Sequence, residues 1–211
     1  MDDRKHYPGP LPEWKSLLVA DLERVALRDR WGLGLIVVGW SHLAFFLLEQ
    51  GLFSAQLVSR PLFVALWAAE LFVNIFLFGR VVGKGWSRST PLAGIMVRLW
   101  ATFLILSFNV ASLNTMTGWA LDWFKPVWAT LSTFGFMMMA YLINPRYFFL
   151  AVQMYFTGLL MALFPAWNYL IYGVSWWAAL EGVGLILERR RGRRAVGAGE
   201  PVTAETASAA A

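Results

Sequence analysis

Cysteine is absent from this chain of 211 residues, and histidine occurs only twice. Without cysteine the protein cannot form disulfides, thiolate metal sites, iron–sulfur clusters or a cysteine nucleophile. Charged residues are also scarce: they make up 15 % of the sequence, against about 25 % in a typical soluble domain. These shortages exclude thiol chemistry and argue against a soluble fold.

Sequence motifs for nucleotide binding and for common catalytic centres are missing as well. The chain has no Walker loop, no His-Glu-x-x-His pair, no Gly-x-Ser-x-Gly elbow and no Gly-x-Gly-x-x-Gly turn. We therefore predict no catalytic residues and no metal site, and the sequence favours a protein that is not an enzyme.

Hydrophobic residues, in contrast, make up 58 % of the chain and occur in long blocks. Each block has about 18 to 23 residues, enough at about 1.5 Å per residue to cross a hydrocarbon layer of about 30 Å. The predicted fold is an all-α polytopic membrane helix bundle with six transmembrane helices preceded by an amphipathic interfacial helix. The predicted spans cover residues 31–52, 61–79, 91–112, 126–143, 146–164 and 166–187.

Three regions follow from this assignment. Residues 1–30 form an N-terminal segment in which "EWKSLLVADLERVALRDR" has apolar residues at helical spacing and charges on the other side. This pattern is typical of a helix on the membrane surface, and it also fits a docking helix for a partner subunit. Residues 31–187 form the transmembrane domain. Residues 188–211 form a tail that is first basic and then, because it lacks large apolar residues, predicted to be disordered.

The positive charges are distributed unequally between the two ends of the spans. Fifteen Lys and Arg residues lie in the N-terminal segment, the even-numbered loops and the tail, and two lie on the opposite side. The positive-inside rule then predicts an inner (plasma) membrane protein with cytoplasmic N- and C-termini. The net charge of +5 thus reflects orientation, and we predict no nucleic-acid partner. Five arginines after the last span are predicted to face anionic lipid: Arg189, Arg190, Arg191, Arg193 and Arg194.

A few ionisable and amide side chains lie inside the predicted spans. His42 and Glu70 both fall about 16 Å from the cytoplasmic side if each residue rises about 1.5 Å. They lie on consecutive helices joined by a short loop, so we predict that they meet. Arg98 lies about 10 Å from the cytoplasmic side, close to the depth of Asn74, and is predicted to be a competing or additional partner of the Glu70 carboxylate. Asn74 and Gln153 complete a predicted polar layer.

Three interpretations of this layer are open. In the first, the polar groups determine which helices pack together. In the second, His42, Glu70 and Arg98 form a proton relay or transport site, since an imidazole titrates near neutral pH. In the third, His42 binds a macrocycle; the only other histidine is His6 in the polar N-terminal segment, which excludes a bis-histidine haem within one chain. We predict no cofactor apart from this third case.

The sequence therefore predicts an accessory or structural subunit, or a sensor-like membrane module, without catalytic activity of its own. The alternative is a small transporter or proton-relay protein. The predicted partners are the lipid bilayer, other membrane subunits and further copies of the same chain.

Overall fold

The computed structural model describes residues 13–57, 59–117 and 124–199, and all regular structure in these ranges is helical. The predicted all-α class is confirmed. Seven α-helices follow one another: α1 Glu13–Arg28, α2 Trp31–Ser54, α3 Arg60–Val82, α4 Pro91–Thr117, α5 Phe124–Leu142, α6 Tyr147–Leu163 and α7 Asn168–Gly199. Single turns of 3-10 helix at Trp86–Arg88 and Pro165–Trp167 precede α4 and α7.

Four of these helical segments are long and apolar enough to cross a membrane. They are Trp31–Ser54, Pro61–Val82, Pro91–Asn114 and Pro165–Arg194. The helix α6 is apolar but shorter, and α5 contains Lys125, two threonines and a serine. Only 11 % of the apolar window is buried inside the protein in each of the second and third segments. Such extensive exposed apolar surface is typical of a helix bundle surrounded by lipid.

The helices α2 and α7 form the most extensive contact in the bundle. Glycines allow their backbones to approach closely. A Cβ atom on Gly184 would lie 2.7 Å from the carbonyl oxygen of Gly32, and a Cβ on Gly173 would lie 2.5 Å from Cβ of Phe46. Small residues at helix contacts are the usual means of close packing in membranes.

The other helices are arranged around this central pair. The helix α3 packs against α2, α6 packs against both α5 and α7, and α4 packs against α5. One apolar core lies between α2, α3, α5, α6 and α7 around Phe46 and Trp128, and a second lies near Phe136 and Met154. A third core, around Trp31 and Phe78, lies where α1, α2, α3 and α4 meet.

The N-terminal helix α1 is present as predicted, but the chain itself covers its apolar face. Leu22, Val25 and Ala26 are buried, and α1 contacts α2, α4 and α7. The prediction that this face lies on the lipid surface is therefore wrong for its C-terminal half. Leu17 stays exposed. Hydropathy periodicity identifies an apolar face, but it does not say whether lipid or protein covers it.

Charged residues form the turn between α1 and α2. The backbone N–H of Asp29 donates to the carbonyl of Val25 at 2.8 Å, and Arg30 adopts a left-handed conformation with φ of 58°. The Arg28 guanidinium lies 2.7 Å from the Asp29 carboxylate. This hydrogen bond holds the pKa of Asp29 below its ordinary value, because it stabilises the ionised form.

The last helix extends beyond the predicted span. Instead of ending near residue 187, α7 continues to Gly199, so the basic cluster is helical. Arginine and alanine are good helix formers, which explains why the helix does not stop at the end of the apolar block. Residues 195–199 of the predicted tail thus belong to α7, and the rest of it, 200–211, lies outside the described residues.

Candidate functional site

Polar and aromatic side chains alternate along one face of α2. They are His42, Phe46, Glu49, Gln50 and Phe53. Offsets of three, four and seven residues place side chains on the same side of a helix with about 3.6 residues per turn. Phe46, Glu49 and Gln50 are buried. This face of α2 therefore points into the bundle, and it carries the polar groups with it.

His42 and Glu70 are paired between α2 and α3. The imidazole Nδ1 and the carboxylate Oε1 are 2.5 Å apart, and the side chains are 14 % and 11 % exposed. An ionised carboxylate only accepts hydrogen bonds, so Nδ1 must then carry the hydrogen. The Asn74 amide Nδ2 donates to the same oxygen at 3.4 Å. Three of the five predicted polar-layer residues therefore lie together.

Aromatic rings surround the imidazole on its other sides. The ring centroids of Phe46, Trp176 and Tyr172 lie 4.5, 5.9 and 6.4 Å from that of His42. The second ring nitrogen, Nε2, is buried and has no hydrogen-bond partner among the described residues. A macrocycle on His42 stays a prediction from the sequence.

A second pair of ionisable groups lies further along the same face of α2. Glu49 is 0 % exposed and Lys125, at the start of α5, is 2 % exposed. The Lys125 ammonium lies 4.0 Å from the ring centroid of Phe53 and 4.5 Å from that of Tyr169. Cations are attracted to the faces of aromatic rings, most strongly where water is excluded.

Glu49 links the two pairs. Its carboxylate lies in the field of the like-charged Glu70 and the oppositely charged Lys125, and neither of its oxygens has a hydrogen-bond partner among the described residues. From the sequence, Glu49 is expected near the hydrated outer surface and Lys125 in an outer loop. The structure shows both side chains buried in the protein, with the Lys125 ammonium over the rings of Phe53 and Tyr169. We call His42, Glu49, Glu70 and Lys125 the interior charge cluster.

The charge of this cluster limits what it can do. With both carboxylates ionised and Lys125 protonated, the cluster is neutral only if His42 also holds a proton. Moving that proton across the 2.5 Å hydrogen bond to Glu70 leaves the total charge unchanged. Desolvation costs several kcal/mol per ion, and opposite charges placed together in one buried cluster offset part of that cost. The arrangement can thus hold helices together or exchange a proton within the pair.

Two glutamines tie helices together outside the interior charge cluster. Gln50 Nε2 donates to the carbonyl of Ala166 at 2.8 Å, and its Oε1 accepts from the N–H of Leu170 at 3.2 Å. Gln153 Nε2 donates to the carbonyl of Ser175 at 2.8 Å. Gln153 therefore joins α6 to α7 and does not meet the His42–Glu70 pair.

Arg98 does not join the predicted layer. Its side chain is exposed, and no ion pair of Arg98 occurs within the parts of the chain that the structure describes. The prediction that it partners Glu70 is not supported by this placement. Residues at one depth meet only if both face the interior, and Leu92 and Ala93 show that α4 buries a different face. An exposed arginine on a spanning helix can instead extend toward the headgroups.

The arginines that follow the apolar part of α7 are not uniformly directed to lipid. Arg190 forms an ion pair with Glu23 of α1 at 2.6 Å, and Arg191 lies 3.6 Å from Glu188. Arg189, Arg193 and Arg194 are exposed. Two of the five predicted lipid-facing arginines thus contact the protein instead.

Metal binding finds no support in the same regions. In residues 13–57, 59–117 and 124–199, no group of three or more His, Asp or Glu side chains could hold a metal ion.

No family model matches the chain, and no curated protein or solved structure shows significant similarity to it. The site must therefore be interpreted from its own geometry.

Sequence reasoning missed Glu49 and Lys125 as interior groups, and it missed the aromatic surroundings of His42. A signal for Glu49 was present, since it follows His42 by two helical turns. No comparable signal existed for Lys125. It precedes a proline at a helix start, which is also where an interfacial lysine would lie.

Proposed function

We propose that this protein is a six-span inner-membrane protein with both ends in the cytoplasm, and that it acts as an accessory or sensor-like module without catalytic activity of its own. The observation that carries the proposal is the interior charge cluster. Its groups lie on α2, α3 and α5: His42 bonds to Glu70 across α2 and α3, and Lys125 of α5 lies over rings of α2 and α7. Such contacts suit a module whose function depends on helix arrangement.

The distribution of the exposed apolar side chains supports six spans. Although α6 is short, Phe149, Phe156 and Leu163 on this helix are exposed. On α5, Phe134 is exposed, whereas Lys125 is buried by aromatic rings. Large apolar side chains on the outer surface of both helices are typical of contact with lipid. The alternative is a hairpin of α5 and α6 that enters and leaves on one side.

Single cysteines can decide between these two topologies, because the chain has none of its own. Pro145→Cys lies at the exposed turn between α5 and α6. With six spans, a membrane-impermeant maleimide should label it only after the cells are permeabilised. Ser59→Cys, in the exposed turn before α3, should be labelled in intact cells and serves as the matched control. Labelling of both in intact cells would contradict six spans.

The accessory role is tested by what the protein binds at natural abundance. Native mass spectrometry after gentle extraction should find stoichiometric partner subunits bound to the chain. A chain that is always alone, or only with copies of itself, would contradict an accessory role and leave the sensor-like module.

The structural role of the interior charge cluster is tested by Glu70→Gln. An amide cannot carry the negative charge that accepts the hydrogen bond from the His42 imidazole, so we expect the thermal unfolding midpoint to fall. Tyr155→Phe, an exposed change on α6, should leave the midpoint unchanged. An unaltered midpoint for Glu70→Gln would contradict the structural role.

A proton relay is the second candidate, because His42 and Glu70 are 2.5 Å apart and Glu49 is buried on the same face of α2 as His42. A relay without Arg98 would run from His42 through the two carboxylates toward Lys125. Purified protein in liposomes with an internal pH dye separates the two functions. We expect no proton flux above that of empty liposomes. Flux that is abolished by His42→Asn, with the unfolding midpoint preserved, would replace the accessory proposal with the relay.

A further inference from the structure

A groove at the end of α3 combines an apolar wall with basic side chains. It has a volume of about 310 Å³ and is lined by Ile75, Phe76, Gly79, Arg80, Gly83, Lys84, Gly85 and Trp86. These residues lie outside the interior charge cluster and outside the predicted basic cluster of α7.

The apolar wall follows the lipid-facing side of a spanning helix. Ile75 and Phe76 are 53 % and 56 % exposed. Phe72, Phe76 and Arg80 follow one another at intervals of four residues, so they lie along one face of α3. An extended hydrocarbon chain placed along this face would thus lead directly to a positive charge.

The polar end of the groove is open and unneutralised. The side chains of Arg80 and Lys84 are exposed, and the described residues contain no acidic partner for either. Gly83 and Gly85 have φ angles of 102° and 83°, and nothing lies within 4 Å of the position of a Cβ on either. The backbone beside the two cations is therefore accessible to a headgroup.

Trp86 closes the groove on the side of α3. A Cβ on Gly79 would lie 3.6 Å from the indole Nε1 of Trp86, so this glycine leaves space beside the indole edge. The ring itself is fixed by edge contacts with Phe78 and Trp31, with centroids 4.8 and 6.4 Å away. An indole N–H at headgroup level can donate to a phosphate or an ester oxygen.

We propose that this groove binds one anionic phospholipid, with an acyl chain along Phe72 and Phe76 and the phosphate between Arg80 and Lys84. Charge complementarity selects the anionic headgroup, and the apolar wall selects a lipid over a soluble phosphate. The cations of the groove have no acidic partner among the described residues, whereas Arg190 and Arg191 of α7 are already paired with Glu23 and Glu188.

Native mass spectrometry of the purified protein from nanodiscs of equal phosphatidylglycerol and phosphatidylcholine tests the proposal. The wild-type chain should retain one phosphatidylglycerol in preference to phosphatidylcholine. Arg80→Gln with Lys84→Gln should lower this preference at least about tenfold, since each cation near the surface contributes about fivefold. The matched control, Arg193→Gln with Arg194→Gln, removes two exposed arginines of α7 and should preserve it.

Gly79→Leu fills the groove without changing the charge, and it should also reduce lipid retention. An equal loss in the Arg193 and Arg194 control would indicate diffuse surface charge and overturn the site. The proposed site is also overturned if the variant with both Arg80→Gln and Lys84→Gln retains the lipid as the wild-type chain does. Displacement of the lipid by millimolar inorganic phosphate would identify a soluble-anion site instead. If Gly79→Leu does not fold, the two charge variants still decide the question.

Discussion

The helix α2 meets α7 and α3 in two different ways. Against α7, Gly184 and Gly32 bring backbone atoms into direct contact. Against α3, the contact in the middle of the helix is the hydrogen bond from His42 to Glu70. Gly34 also approaches α3 closely, but the atoms that it meets belong to the side chains of Phe78 and Val82, which can shift.

The difference shows that two kinds of contact can determine how neighbouring helices pack against α2. Lipid is as apolar as the helix surface, so burial of apolar area does not by itself choose a partner. Backbone contact determines the distance between α2 and α7, because overlap with a backbone atom cannot be relieved by a rotamer change. The hydrogen bond determines the rotation of α3, because it requires a particular direction.

The largest expected effect is at the glycine contact. In Gly184→Ala the new methyl group lies 2.7 Å from the Gly32 carbonyl oxygen, so α2 and α7 must separate, at a cost of about 3 kcal/mol in unfolding free energy. Gly182→Ala on the same helix meets nothing within 4 Å and should be neutral or stabilise by up to about 1 kcal/mol. Denaturant titration in mild detergent measures both. Equal effects would show that the close approach is unimportant.

A smaller effect is expected at the polar contact. A double-mutant cycle with His42→Asn and Glu70→Gln should give a coupling energy of about 1 to 2 kcal/mol, the range of interhelical polar contacts in membranes. A cycle between His42→Asn and Glu181→Gln is the control, since Glu181 contacts the Gly39 region of α2 instead. A coupling near zero for the first cycle would mean that the hydrogen bond does not orient α3.

The contact between α6 and α7 sharpens the comparison, because Gln153 and Thr157 both bond to Ser175 at 2.8 Å. Gln153→Leu should lower the unfolding free energy by about 1 kcal/mol. Tyr155→Phe is exposed on the same helix and should have no effect. Thermal unfolding followed by circular dichroism measures the pair, and a stabilised Gln153→Leu variant would contradict this prediction.

The smallest effect is expected outside the apolar region, at the ion pair of Glu23 with Arg190. Both side chains are partly exposed, so Glu23→Gln should cost below about 0.5 kcal/mol and the loss should vanish in high salt. Hydrogen exchange of α1 is the sensitive measurement. The control is Asp21→Asn, because the partner of Asp21, Arg24, lies on the same helix. This change should leave the hydrogen exchange of α1 unchanged. A large loss of unfolding free energy in Glu23→Gln that persists in high salt would contradict this prediction.

Much of the fold follows from the sequence, because apolar blocks and the prolines between them determine where helices begin and end. Depth along a helix also follows from residue number, which is why His42 and Glu70 could be predicted to meet. The depth of a residue does not say whether its side of the helix faces the interior of the bundle. Arg98 was therefore placed in the layer although α4 buries the face of Leu92 and Ala93.

The environment of a terminal residue is harder still to predict. Lys125 lies at the start of α5, where an interfacial position is the ordinary expectation, and the rings of Phe53 and Tyr169 from two other helices cover its ammonium. The close approach of α2 to α7 likewise joins residues far apart in sequence. Such contacts depend on tertiary arrangement, and local sequence patterns do not encode them.

The length of α7 has a mechanical consequence. This helix runs without interruption from Asn168 to Gly199, and its basic part is tied to α1 by the Arg190–Glu23 ion pair. A rod transmits an axial shift or a rotation along its whole length. A change in how α7 fits against α2 is therefore passed along α7 as far as its contact with α1.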